Sequence, residues 1–270
     1  MLYICGTPIG NLEDISIRQL NILKSVDLIA AEDTRHSKKL LSHYGISTQY
    51  TSYHDNSSNN KTKYLVNKLL DGKSIALISD SGMPLICDPG FELIKECRIN
   101  NIPVTTVPGP TAFVSGLIMS GFDTSEFIFL GFLSNKKKKN IGNLSEEQRT
   151  VVFYESPHKL IKTLEFLQKE LGGGRNIAIS REITKFYEEV INLTLEEAVN
   201  YYKQNTPIGE FVIVLDGKNN NNKRPEIKLE PILNYMANGY SKKDAITLLS
   251  KDLGLPKNTV YKKILELEKL

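Results

Sequence analysis

KSIALISDSGMPLICDPG, residues Lys73–Gly90, decides the fold. Ile75-Ala76-Leu77-Ile78 is a short continuous apolar run, the pattern of a strand buried on both faces. It breaks into Ser79-Asp80-Ser81-Gly82-Met83-Pro84, a loop of small and polar residues. A second break, Asp88-Pro89-Gly90, leads into Phe91-Glu92-Leu93-Ile94 at helical spacing. A buried parallel strand feeding a loop and a helix is where an open α/β sheet places its ligand. Small residues let the backbone approach that ligand, and Asp80 brings one charge to it. A long connection with a functionless Asp would also read this way, so the neighbouring stretches decide.

Upstream, Leu2-Tyr3-Ile4-Cys5 is a second apolar run and ends in Gly6-Thr7-Pro8-Ile9-Gly10-Asn11. The glycines and proline make a tight turn whose amides can face a ligand. The turn is not G-x-G-x-x-G, so the dinucleotide fingerprint is absent. Ser16 caps a helix carrying Ile17, Leu20 and Leu23. Val26 to Ala31 reads as a strand ending in Glu32-Asp33-Thr34-Arg35-His36. A solvated N-cap accounts for Asp33 or Thr34, but not for Glu, Asp and Arg together. Ser37 to Tyr44 is a helix stopped by Gly45. Gln49 to Asn60 is polar and exposed, with His54-Asp55-Asn56 at the mouth of a cleft, and Lys63 to Leu70 is an amphipathic helix. Downstream, Val104-Thr105-Thr106-Val107 is a fourth strand, ending in Pro108-Gly109-Pro110-Thr111-Ala112-Phe113. Three such turns on parallel strands lie along one sheet edge.

After Gly121 the pattern restarts with more β character. Strands are expected over Phe127–Leu130, Val151–Tyr154, Asn176–Ser180, Glu188–Asn192 and Glu210–Leu215. Two of them end in charge: Glu155-Ser156-Pro157-His158-Lys159 and Arg181-Glu182-Ile183-Thr184-Lys185. Lys136 to Lys139 form a four-lysine run that a solvated loop alone would explain. These patterns divide the chain into α/β domains at 1–120 and 121–217, an Asn-rich linker at 218–224 and a helical tail at 225–270. In the tail, Ser241 with Asp244 opens one helix, Gly254 turns the chain and Asn258 opens a last helix made basic by Lys257, Lys262 and Lys263. That is the outline of a helix-turn-helix, although a small helical cap would share it.

Composition bounds the answer. Of 270 residues, 40% are apolar and 24% charged, as in a soluble globular protein. No apolar run approaches the roughly 18–20 residues of a membrane span. The N-terminus has no secretory pattern, and Cys5, Cys87 and Cys97 show neither a disulfide framework nor metal-ligand spacing. A cytoplasmic protein without a metal is expected. Net charge is only +3, so any nucleic-acid footprint is local.

The ordered segments TPIGNLEDIS (Thr7–Ser16), AEDTR (Ala31–Arg35), SDSGMPLICDPG (Ser79–Gly90), VPGPTA (Val107–Ala112), FYESPHKL (Phe153–Leu160), SREITK (Ser180–Lys185) and GEFVIVLDG (Gly209–Gly217) resemble the ribosomal RNA small subunit methyltransferase I family of the tetrapyrrole methylase superfamily. The resemblance covers nearly the whole chain, tail included. Ser81, Met83 and Cys87 depart from the more usual Ala, Thr and Ser, and Ser134 from a frequent Pro; none of these swaps removes a charge. The resemblance implies two α/β domains with S-adenosylmethionine in the cleft between them, a homodimer, and 2′-O-methylation of a cytidine in the decoding region of 16S rRNA on the assembled small ribosomal subunit.

By the same resemblance, Pro8, Ser79, Asp80, Ser81, Met83, Leu85, Ile86, Thr111, Ala112, Tyr154, Glu155 and Thr184, with Ile183 beside the last, would hold the cofactor. A base would help an in-line displacement by a ribose hydroxyl, and Glu155, Asp88 and Glu32 lead the candidates, with Asp33 and Glu182 behind them. Arg35, Arg181 and Lys185 suit phosphate, joined by Lys136, Lys137, Lys138 and Lys139 and by Lys257 and Lys262 of the tail. Two rival readings share some of these residues: a methylase of a corrin-type tetrapyrrole, and a non-enzymatic nucleic-acid-binding regulator. The basic loop and tail speak against the first, and the small and charged strand ends against the second.

Overall fold

The computed structural model describes residues 1–54, 59–133, 144–218, 229–252, 260–261 and 264–265. Lys136–Lys139, Lys257, Lys262, Lys263, Asp55, Asn56 and residues 219–224 of the expected linker lie outside them. The chain forms two compact units, Met1–Lys218 and Asn219–Leu270.

The first unit begins with a five-stranded, all-parallel sheet. Its strands are β1 (Leu2–Cys5), β2 (Leu28–Ala31), β3 (Tyr50–Ser52), β4 (Ile75–Ile78) and β5 (Val104–Val107), in the order β3-β2-β4-β1-β5. The fully buried β2 and β4 are the apolar runs of the sequence, as expected for inner strands covered on both faces. Helices α1 (Ile17–Ser25) and α2 (Thr34–His43) join one core face through Leu23 and Leu41. Helices α3 (Asn59–Leu70) and α4 (Phe91–Ile99) close the other through Leu65, Leu69, Leu93 and Cys97. Ser16 caps α1 in a full capping box with Gln19.

Two sequence expectations need correcting. Val26 is the C-cap of α1, so the second strand starts at Leu28. The polar stretch after Gln49 contains a short edge strand, β3, whose residues are exposed or half-buried and so carry no apolar run.

Helix α5 (Ala112–Ser120) leads to a second, mixed sheet of β6 (Phe127–Phe132), β7 (Thr150–Glu155), β8 (Asn176–Arg181), β9 (Glu189–Thr194) and β10 (Phe211–Leu215), in the order β6-β7-β10-β8-β9. Only β6 and β7 pair in parallel, and their register shifts between Phe129 and Phe132, where Gly131 adopts a positive φ. Helices α6 (Pro157–Leu171) and α7 (Leu195–Gln204) bury Leu160, Leu164, Leu167, Leu195 and Val199 against Phe153, Ile177, Ile179 and Ile213. Helix α5 covers the opposite face, and its Gly116 sits so close to β10 that an added Cβ would lie 2.6 Å from the Val212 Cγ1.

The second unit packs α8 (Leu229–Ala237) on α9 (Lys242–Asp252) around Ile232, Ala245, Ile246, Leu249, Val260 and Ile264. The Asp244 N–H donates to the Ser241 hydroxyl at the start of α9, and that hydroxyl donates to the Asp244 carboxylate.

Candidate functional site

The turns after β1, β4 and β5 meet at the C-terminal edge of the first sheet. Thr7 and Gly82 exchange backbone hydrogen bonds, with Thr7 N–H to Gly82 O at 2.9 Å and Gly82 N–H to Thr7 O at 3.1 Å. The buried hydroxyl of Thr7 donates to Ser79 O at 3.2 Å. A Cβ on Gly6 would lie 2.7 Å from the Gly109 Cα, so neither turn has room for a side chain there. The Gln19 amide ties α1 to the same place by donating to Gly6 O at 2.6 Å. Beyond Gly82, Leu85 and Cys87 both hold φ near 71°, a conformation non-glycine residues rarely adopt, and such strain concentrates at ligand sites.

The second half supplies the facing wall. Gly10 abuts the 183–185 turn closely enough that a Cβ would meet the Lys185 Cγ at 2.5 Å. The Asn11 N–H donates to the Thr184 hydroxyl at 3.1 Å. In that turn Glu182 and Thr184 are again left-handed, with φ of 51° and 67°. Gly209, at φ 99°, packs on the Glu182 side chain and admits no Cβ.

Between these turns lies a cavity of about 340 Å³, within the range of small-molecule sites. Ile9, Ser81, Gly82, Met83, Ile86, Cys87, Asp88, Thr111 and Ala112 line one side. Phe132, Tyr154, Glu155, Ser156, Pro157, Ile183 and Gly209–Val212 line the other. The walls are mainly apolar, and their acidic groups are Asp88, Glu155 and Glu210. Such a lining suits a flat apolar ligand that carries a positive centre.

Glu155 is buried at the end of β7, and its two carboxylate oxygens accept from Ser156 N–H at 2.8 Å and the Thr163 hydroxyl at 2.6 Å. Tyr154 accepts from Phe113 N–H, in the first turn of α5, at 3.2 Å. Its ring meets Phe129 edge-on and is tilted against Phe132. Burial pushes its phenol up to about 12, against the lowering effect of that hydrogen bond. Tyr154 therefore keeps its proton at neutral pH.

The expected cofactor residues divide. Ser81, Met83, Ile86, Thr111, Ala112, Tyr154 and Glu155 line the cavity, as does Ile183. Ser79 is buried and not a lining residue, its hydroxyl donating to Gly82 O. Pro8, Asp80, Leu85 and Thr184 are not among the lining residues. Asp80 faces the β2 end, its carboxylate accepting the Asp33 N–H at 3.0 Å. Of the candidate bases, Asp88 and Glu155 reach the cavity, whereas Glu32 accepts the Asp80 N–H at 3.3 Å beside it.

Sequence reasoning missed Ile9, Gly82, Cys87, Phe132, Ser156, Pro157 and Gly209–Val212 as lining residues. The apolar ones resemble core residues, and the Gly209-Glu210 pair at a strand start gave a signal.

The described cations expected to hold phosphate each face a carboxylate. Arg35 reaches the Asp33 carboxylate through both Nε and Nη2, at 2.6 Å for the shortest contact. Those hydrogen bonds hold Asp33 well below the usual carboxylate range. Arg181 lies 3.3 Å from Glu189 across the β8–β9 ladder, near enough for Coulomb attraction but without hydrogen-bond geometry. Lys185 bridges Glu182 at 2.9 Å and Glu210 at 2.8 Å. Burial lowers the Lys185 pKa, but the two carboxylates outweigh it and the net direction is up.

Among the described residues no helix is long and apolar enough to cross a membrane. The family model of the tetrapyrrole (corrin/porphyrin) methylases matches residues 1–199. The ribosomal RNA small subunit methyltransferase I of Synechocystis sp. is 43% identical, over 99% of this chain and 98% of its own. That of Halalkalibacterium halodurans is 43% identical, over 96% and 93%. Among solved structures, the methyltransferase CobJ superposes with a TM-score of 0.61 at 17% identity, covering 80% of this chain and 94% of its own.

Proposed function

This chain belongs to the tetrapyrrole methylases, within the ribosomal RNA small subunit methyltransferase I group, and from that premise we propose that it methylates the 2′-hydroxyl of a cytidine in the decoding region of 16S rRNA, acting on the assembled small ribosomal subunit. It is a methyltransferase whose donor is S-adenosylmethionine. The observation that carries the rRNA reading is identity of 43% along nearly the full chain to enzymes named for that substrate. Likeness to CobJ extends to the fold.

The cavity fits the donor. Ile9, Met83, Ile86, Ala112, Ile183 and Val212 give apolar walls for an adenine, and Thr111 and Ser81 give hydroxyls for polar groups. Asp88, Glu155 and Glu210 complement a sulfonium and an ammonium. When bound, the donor supplies an electrophilic methyl on a cationic sulfur that leaves as a neutral thioether.

What the chain contributes is chiefly alignment and exclusion of water. Tyr154, neutral at physiological pH, offers a hydrogen bond rather than a base. Glu155 is fixed by its two donors and cannot swing. Asp88 lines the wall without being buried and is the better placed of the two to take a hydroxyl proton. Lys185 serves by holding Glu210 at the rim. A homodimer and a cytoplasmic location belong to this reading. Val114 and Ile118, one turn apart on α5, expose the apolar surface that a second copy could cover.

The reading is tested by labelled methyl transfer to small ribosomal subunits from cells lacking the gene, with naked 16S rRNA and a reduced tetrapyrrole alongside. Label at a 2′-O-methylcytidine in the subunit is expected. Label in the tetrapyrrole alone would replace the reading with the corrin-type one.

A further inference from the structure

One stretch of the first sheet's half is strongly basic. Between Thr34 and Leu70 there are six lysines and arginines against a single acid, Asp55, so this segment carries +5 and the rest of the chain −2. Helix α2 turns Ser37, Leu40 and Leu41 to the core and leaves Arg35, His36, Lys38, Lys39 and His43 exposed. Helix α3, on the opposite face of the sheet, exposes Lys63 and Tyr64. Lys61 and Lys68 each place Nζ 5.1 Å from the centroid of the Tyr64 ring. Lys61 also donates to the Thr51 hydroxyl on β3. The two basic faces thus flank β3, the edge strand of the first sheet.

Neither helix contains an acidic residue, whereas α4 carries two Glu with one Lys and one Arg, and α6 and α7 are likewise mixed. Lysines near a sheet edge deter strand pairing, but that device places them on the strand, and β3 (Tyr-Thr-Ser) has none. The position is also telling. Helix α2 starts at the C-terminal end of β2, and α3 starts beyond the same end of β3. The loop after β4, at that edge, lines the cavity through Ser81, Gly82, Met83, Ile86, Cys87 and Asp88. From β4 to β3 is two strand spacings, roughly 10 Å. RNA presenting a ribose hydroxyl to a donor seated in the cavity would have its flanking phosphates within reach of this shoulder.

We infer that the α2–β3–α3 shoulder, through Lys38, Lys39, Lys61 and Lys63, is a phosphate-binding surface that grips the folded RNA substrate. The inference rests on the rRNA reading above and adds to it a surface and its charges. Arg35 is left out because Asp33 already neutralises it.

The test is a charge-reversed variant, Lys38→Glu with Lys39→Glu and Lys63→Glu, all exposed. The control is Lys169→Glu on the exposed face of α6. Methyl transfer to small subunits is followed through a salt series, and donor affinity is read by calorimetry. The expected result is a KM for subunits raised about tenfold or more, with the log–log salt dependence shallower by roughly 0.7–0.9 per lost phosphate contact. Donor affinity and kcat stay at wild-type values, and the control behaves as wild type. A triple variant with the control's KM and salt slope would overturn the inference. If wild-type protein labelled no subunit at all, the rRNA reading itself would fall, a result distinct from wild-type transfer with an unaffected variant.

Discussion

Tyr154 and Glu155 carry the most information per residue. Adjacent on β7, both line the cavity, and each is held by a donor from a helix that follows a strand end. Tyr154→Phe removes the acceptor of the Phe113 N–H. The expected cost is about 0.5–1.5 kcal/mol, the net worth of a typical hydrogen bond, at this part-buried position, with weakened binding of the methyl donor, both measurable by denaturant titration and calorimetry. The wild-type phenol should titrate near 12, so activity should show no alkaline limb from Tyr154 between neutrality and its ordinary value of 10. Thr163→Val takes a hydrogen bond from a buried carboxylate. Stability should drop by about 1–3 kcal/mol, and kcat should fall with it because Glu155 loses its fixed orientation. A variant with unchanged melting and rate would show that Thr163 does not hold Glu155. At this scale the sequence was partly legible. Polar and charged clusters following apolar runs marked Glu155 and Asp88, both of which line the cavity, because such clusters need a reason, whereas Glu182, marked the same way, is spent on Lys185 and the Glu210 N–H. Asp80 shows the limit: it stands in the right loop, but its carboxylate is turned to the Asp33 amide, and side-chain direction has no one-dimensional trace.

Among elements, the decisive one is α5, which follows β5 of the first sheet and packs on β7, β8 and β10 of the second. Gly116 is what permits that approach. Gly116→Ala would drive a Cβ into the branched, buried Val212 at 2.6 Å. Overpacking of this kind costs about 1–3 kcal/mol, to be read from the denaturant midpoint; no change would mean that the two elements separate easily. The apolar inner strands β2, β4 and β10 were readable because burial on both faces leaves a continuous run. Strand β3 was not, because a three-residue edge strand takes its stability from pairing with β2 rather than from its own side chains.

For the whole molecule, acid stability follows from surface carboxylates held by partners. Glu147 caps the approach to β7 through Arg149, whose hydrogen bonds bring its pKa from 4.5 to about 2. A depressed folded pKa gives stability that is present above the unfolded value and lost as pH falls through the folded one. The destabilisation by Glu147→Gln should therefore be full near neutrality and shrink as pH drops from about 4.5 toward 2, tracked by urea midpoints. A difference that stayed constant across that window would rule out the ion pair as its source. The two-sheet architecture was readable as a pattern of strands and turns, because each half restarts the alternation on its own. The closure of the cavity was not, since it depends on Gly10 meeting Lys185, residues far apart in the chain.

The central claim is that the methyl donor seats in the cavity between the two sheets. The direct test is calorimetric titration of S-adenosylmethionine into wild-type protein and into Ala112→Phe, which fills the cavity from the first turn of α5. The account predicts one donor per wild-type chain and none for the variant, with its thermal unfolding still cooperative. A folded Ala112→Phe protein that bound the donor as tightly as wild type would contradict it.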